Sequence, residues 1–146
     1  MTRPPFPLRG ISVAALAMML PACSIRSSPE PTIQLLFEGA VVAAGDSKPL
    51  SGAYVTFSLG TGNGERRSVA GTRTDQRGRF WLRVDIQGRE CAYLQLAAAT
   101  VGLDPSWTRG GQLQCTPQCQ RIEFALAPPS IGSHNYLEPR VSECRP

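Results

Sequence analysis

From residue 33 to residue 127 the apolar residues recur at every second position, which restricts this stretch to half-buried strands. Phe80, Leu82, Val84 and Ile86 alternate with Arg79, Trp81, Arg83 and Asp85. Ala53, Val55, Phe57 and Leu59 alternate with Tyr54, Thr56 and Ser58. Leu94 and Leu96 flank Gln95, and Ile122, Phe124 and Leu126 flank Glu123 and Ala125. Residues 33–44 and the weaker segments 68–74 and 112–115 bring the expected total to about seven short strands. No segment has convincing helical spacing. Gly45-Asp46-Ser47-Lys48-Pro49, Gly60-Thr61-Gly62-Asn63-Gly64 and Asp75-Gln76-Arg77-Gly78 supply turn chemistry between the strands. With 42% hydrophobic residues the chain can bury a core, and 146 residues suit one domain. The prediction is an all-β, antiparallel sandwich whose two inner faces form that core.

The N-terminus reads as an address. Met1 to Gly10 holds Arg3 and Arg9 and no acid, a ten-residue stretch at 11–20 that is apolar except for Ser12 follows, and small residues come next. This predicts a secretory signal peptide over 1–22, too short to span a bilayer. Leu20-Pro21-Ala22-Cys23 resembles the bacterial lipobox, although Pro21 departs from the residues usual at that position. The resemblance implies cleavage before Cys23, with diacylglycerol and palmitate-type chains attached to it. Ordinary cleavage after Ser24, with Ala22 and Ser24 as the small residues, is the competing reading. Acylation would make residues 23–32 a lipidated, proline-stiffened tether to the cell membrane or outer membrane, and the protein an exported one. Ser24 after the cysteine resembles outer-membrane sorting.

Either cleavage leaves Cys91, Cys115, Cys119 and Cys144, an even set that in an exported chain reads as two disulfides. A four-cysteine zinc site needs ligands paired at knuckle spacing, and Cys91 and Cys144 are not so paired. Four cysteines allow three connectivities. If residues 92–99 and 112–115 are neighbouring antiparallel strands, Cys91 meets Cys115 and Cys119 meets Cys144, pinning a tail over 129–146. Cys115–Cys119 with Cys91–Cys144, and Cys91–Cys119 with Cys115–Cys144, remain open.

Several fragments in order then point to a family. Phe37-Glu38-Gly39-Ala40-Val41, Lys48-Pro49-Leu50-Ser51-Gly52-Ala53-Tyr54-Val55, Thr74-Asp75-Gln76-Arg77-Gly78-Arg79-Phe80 and Phe124-Ala125-Leu126-Ala127-Pro128 follow one another. Together they resemble the carboxypeptidase regulatory-like family, with its transthyretin-like or prealbumin-like sandwich. The resemblance implies a seven-stranded antiparallel transthyretin-like β-sandwich with Greek-key connections over residues 33–128. It also implies an accessory or binding role with no catalytic residues. The long 100–118 connection and the four cysteines are departures from the family pattern.

No catalytic set, cofactor site or metal site emerges from the residues. The one histidine, His134, cannot meet the histidine requirement of hydroxyisourate hydrolases or of intradiol dioxygenases, which share this sandwich. A Ser/His/Asp triad would have to recruit His134 from the tail. Asp75 reads as a turn stabiliser rather than a calcium ligand. The 15 basic residues are scattered rather than clustered, which argues against nucleic acid as a partner. One surface reads as a candidate for binding. Trp81 between Arg79 and Arg83 presents a flat ring and two cations, suited to sugar rings or anionic polymers, with Tyr54 joining from another strand. The expected function is a non-catalytic, lipid-anchored cell-envelope module, a scaffold or binding domain with an envelope protein or glycan as partner. The alternative is a pilotin-like accessory subunit of an envelope assembly.

Overall fold

The computed structural model describes Thr2, Gly10 and residues 28–145; the expected signal peptide and Cys23 lie outside the described residues. The strands are β1 (Thr32–Ala43), β2 (Tyr54–Gly60), β3 (Arg66–Arg73), β4 (Arg79–Gln87), β5 (Leu94–Ala99), β6 (Ser106–Trp107), β7 (Gln120–Leu126) and β8 (Arg140–Glu143). They form two four-stranded sheets, ordered β4-β1-β7-β8 and β3-β2-β5-β6, which pack as a β-sandwich. No helix among the described residues is long and apolar enough to cross a membrane.

The alternation read from the sequence is the alternation observed. Phe80, Leu82, Val84 and Ile86 face inward from β4, while Arg79, Trp81, Arg83 and Asp85 face water. Phe37 of one sheet meets Phe57 of the other at 5.5 Å between ring centroids, and Phe80 meets Phe124 at 6.2 Å. Burying each such ring contributes about 1.5 to 3 kcal/mol. Gly39 takes an inward position on β1, beside the Phe80 ring and the Ile122 carbonyl.

The quoted fragments converge on one corner. The buried Thr74 hydroxyl accepts a 2.9 Å bond from the Ala53 N–H and donates to the Leu50 carbonyl. The Asp75 carboxylate accepts the Arg77 and Arg79 N–H groups at 2.9 Å, closing the turn into β4. Gly78, at φ 71°, completes the turn, 2.7 Å from the Val41 carbonyl at the point where a Cβ would sit. Asp75 is therefore placed as a turn residue.

The structure departs from the sequence reading in four ways. Among the described residues there are eight strands, not seven, and β1 pairs with β7 in parallel from Phe37↔Gln120 to Ala43↔Leu126. The chain changes sheet between β6 and β7, so β7 enters alongside β1 running the same way. The expected strand at 112–115 is absent. The Gln120 side chain accepts the Gln114 N–H at 2.8 Å and donates to its carbonyl at 2.7 Å, occupying groups that a ladder would have used. The neighbour of β5 is instead β6, and Thr108 extends that edge by accepting the Leu96 N–H at 3.0 Å. Finally, the segment after Pro128 is built into the sandwich, with β8 pairing along β7 from Gln120↔Glu143 to Glu123↔Arg140.

Cys91 joins Cys115 and Cys119 joins Cys144. The first bond does not arise from adjacent strands. Cys91 follows the short helical turn Gly88–Glu90, and Cys115 lies in irregular chain anchored by buried Leu113 and the Gln120 clasp. Two disulfides of this kind fit an exported protein.

Candidate functional site

Three of the four surface residues singled out from the sequence stand together. Arg79, Trp81 and Arg83 project in a row from β4 onto the outer face of the β4-β1-β7-β8 sheet. Trp81 is 61% exposed, so neither tail nor loop covers it. The strand pattern explains the row, because the inward members of β4 all belong to the core.

Tyr54 does not join them. It opens β2 in the other sheet, and its exposed ring looks out from the opposite side of the sandwich. There it lies against Gly71, where a Cβ would come within 2.7 Å of its hydroxyl, and the Arg73 guanidinium sits 5.5 Å from its ring centre. Sequence alternation tells which residues of a strand face out, but not which sheet the strand enters.

Across the outer face, Trp81 is opposite Glu38 on β1, and Glu38 is opposite Arg121 on β7. Arg121 bridges to Glu38 at 3.8 Å and Glu123 at 3.5 Å, and Arg140 of β8 reaches Glu123 at 3.1 Å. These exposed pairs add little stability but neutralise one half of the face. Among the described residues, no carboxylate lies within ion-pair distance of Arg79 or Arg83. A shallow hollow of about 150 Å³ between Glu38, Gly39, Arg79, Phe80, Trp81 and Arg121 lies beside the indole. A second, of about 380 Å³, continues from Trp81 and Arg79 to Asp75, Gln76 and Arg77. A flat ring flanked by two free guanidinium groups can stack on a sugar ring while donating bidentate hydrogen bonds to a carboxylate or phosphate.

Sequence reasoning missed the tail cluster. Buried Asp104 accepts the Asn135 N–H at 2.6 Å and lies 3.2 Å from His134 Nδ1. The Asn135 N–H holds the Asp104 carboxyl below its ordinary 3.8; His134 acts in the same direction and burial opposes it. The His134 side chain is 91% exposed, and no serine hydroxyl among the described residues hydrogen-bonds its ring, so this pair lacks a nucleophile. The Trp107 and Tyr136 rings meet at a tilt with centroids 4.4 Å apart, and Arg109 lies 5.1 Å from the Tyr136 ring. These contacts strap the tail to the 104–112 loop. Non-local packing of this sort leaves no periodic trace in the sequence. A concavity of about 790 Å³ opens beside β8 between residues such as Gln112, Glu123, Arg140 and Arg145 and is wide and mixed in charge.

Glu38, Cys119 and Cys144 bring their ligating atoms within 4.8 Å of one another. Both sulfurs are consumed by the disulfide, which leaves no thiolate for a metal.

No family model matches the chain, and no curated protein does. Among solved structures it is similar to the C-terminal domain of the shaft pilin SpaA from Lactobacillus rhamnosus GG, at 12% identity and a TM-score of 0.40, over 68% of this chain and 99% of that one. It is similar to 3-chlorocatechol 1,2-dioxygenase from Rhodococcus opacus 1CP at 14% identity and a TM-score of 0.41, over 80% of this chain and 62% of that one. Catechol 1,2-dioxygenase from Acinetobacter sp. ADP1 gives 13% identity and a TM-score of 0.44, over 77% of this chain and 60% of that one. At these values none of the three bears on activity, ligand or partner here.

Proposed function

We propose that this protein is a lipid-anchored cell-envelope module of the carboxypeptidase regulatory-like kind, a non-catalytic binding domain. Its ligand is an anionic glycan or similar polymer, and it binds along Arg79, Trp81 and Arg83. In this reading residues 1–22 are removed on export, acylated Cys23 and the segment to residue 32 tether the sandwich, and the body presents its outer face to the envelope. The observation that supports it most is an exposed indole between two guanidinium groups that have no acid partner among the described residues. A solvated ion pair would have quenched each charge; here both remain available to a ligand.

Two measurements test the two halves. Intact-mass analysis of the mature protein is expected to begin at Cys23 with added acyl mass, and an unmodified N-terminus at Ile25 would remove the anchor. Calorimetric titration with purified anionic envelope polysaccharide is expected to show about tenfold weaker binding for Trp81→Ala, from loss of ring stacking and contact area. Tyr54→Ala, on the far side, should leave affinity unchanged. Equal affinity of wild type and Trp81→Ala would overturn the binding reading.

A further inference from the structure

The free edge of β4 has a two-fold pattern written into it. Among the described residues β4 pairs with β1 only, and the Val41 N–H donates to the Gly78 carbonyl at 2.8 Å, continuing the same register by one pair. Hydrogen-bonded and non-bonded pairs alternate along an antiparallel ladder. Phe80, Leu82, Val84 and Ile86 therefore point their backbone groups at β1, and the odd-numbered residues point theirs away from it. Both ends of that outer edge are already satisfied. The Arg79 N–H is taken by the Asp75 carboxylate and its carbonyl by the Asp75 N–H, while the Gln87 N–H is taken by Glu90 at 2.9 Å. Among the described residues, Trp81, Arg83 and Asp85 are left between them with open donors and acceptors.

The other edges are protected. β6 has 2 residues, and β8 has 4 and is tied down by the Cys119–Cys144 bond. β3 carries an irregularity opposite Phe57 and Ser58. β4 is 9 residues long, regular along its ladder, and free of proline. A long, regular edge is a template for another strand, and the outward charges of this one, Arg79, Arg83 and Asp85, are of both signs and so can pair across a two-fold axis.

We propose that the occupant of this edge is a second copy of the same chain, paired antiparallel about a two-fold axis at Leu82. That register places Trp81 opposite the partner's Arg83 and Arg79 opposite the partner's Asp85, and the axis repeats each pairing. The Trp81–Arg83 pairs exchange backbone hydrogen bonds and bring guanidinium onto indole, and the Arg79–Asp85 pairs add opposite charges on the same face. Other registers are worse. An axis at Arg83 sets arginine against arginine, and an axis at Trp81 sets Arg79 against Arg83. An axis at Val84 keeps an Arg83–Asp85 pair but sets Trp81 against Gln87 and so gives up the indole–guanidinium pairs. In the favoured pairing the two β4-β1-β7-β8 sheets become one continuous sheet. This assembly uses the same Arg79, Trp81 and Arg83 side chains as the proposed glycan strip, so the two occupants compete, and the pairing stands whether or not the strip binds a glycan.

Native mass spectrometry of the purified full-length mature protein, released from detergent, tests the pairing. Wild type is expected to show a dimer whose fraction rises with concentration. Asp85→Arg should weaken dimerisation at least about tenfold by opposing Arg79. The double variant Arg79→Asp/Asp85→Arg should restore it. All three positions are exposed and outside the core, and an unchanged far-UV circular dichroism spectrum verifies the fold of each variant. A monomer at every concentration, or an Asp85→Arg protein that dimerises like wild type, would overturn the proposal. Rescue by Arg83→Asp instead of Arg79→Asp would overturn the Leu82 axis.

Discussion

Gly39→Ala is expected to destabilise the protein by about 3 kcal/mol or more, at the upper end of what overpacking costs. A Cβ at this position would collide with the Ile122 carbonyl oxygen and lie 2.9 Å from the Phe80 ring. The ring can turn aside. The carbonyl cannot, because it belongs to β7, whose parallel ladder with β1 runs through Gly39↔Ile122. Relief requires prising two central strands of the sheet apart. Urea unfolding of Gly39→Ala beside Ala40→Gly, the neighbouring outward position, separates this clash from a general propensity effect. Similar losses for the two variants would show that the close approach does not govern stability.

Removing both disulfides should cost about 7 kcal/mol in total, close to or beyond the whole stability of a domain this size. Cys91–Cys115 and Cys119–Cys144 span separations of 24 and 25 residues. Closing a loop of that length removes chain entropy from the unfolded state worth about 3.5 kcal/mol per bond. The bonds differ in what else they hold. Cys119–Cys144 fixes the end of β8, so Cys119→Ala/Cys144→Ala should lose amide-exchange protection across residues 140–143 before global unfolding. Cys91→Ala/Cys115→Ala should lower the melting temperature on the order of 10–20 °C with β8 still protected. A reduced protein that melts with the oxidised one would contradict both expectations.

The inward register of β1, β2, β4, β5 and β7 was legible because alternation is local: a strand with one buried face must place apolar residues at every second position. Leu82 and Arg83 could be assigned to opposite faces from their spacing alone. Turn chemistry was legible for the same reason, since Asp75 and Gly78 act within the few residues that close their own turn. The same locality explains what went astray. The segment 112–115 has the composition of a weak strand, yet the Gln120 side chain occupies its backbone from six residues away. The tail looked like an appendage because β8 has only 4 residues and little apolar pattern, and its place depends on β7, Asp104 and Trp107.

The candidate surface divides along the same line. The row Arg79, Trp81, Arg83 follows from period two within one strand and could be read from the residues alone, as could the all-β class and the turn at Asp75. Sheet membership was decided only in the tertiary structure. It sent Tyr54 to the far side, set β7 parallel to β1, left the outer edge of β4 open and brought Cys91 to Cys115 without a shared ladder. The physical reason is range. Side-chain direction along a strand is set by backbone geometry over two residues, whereas the partner of a strand is set by which distant apolar faces close one core together.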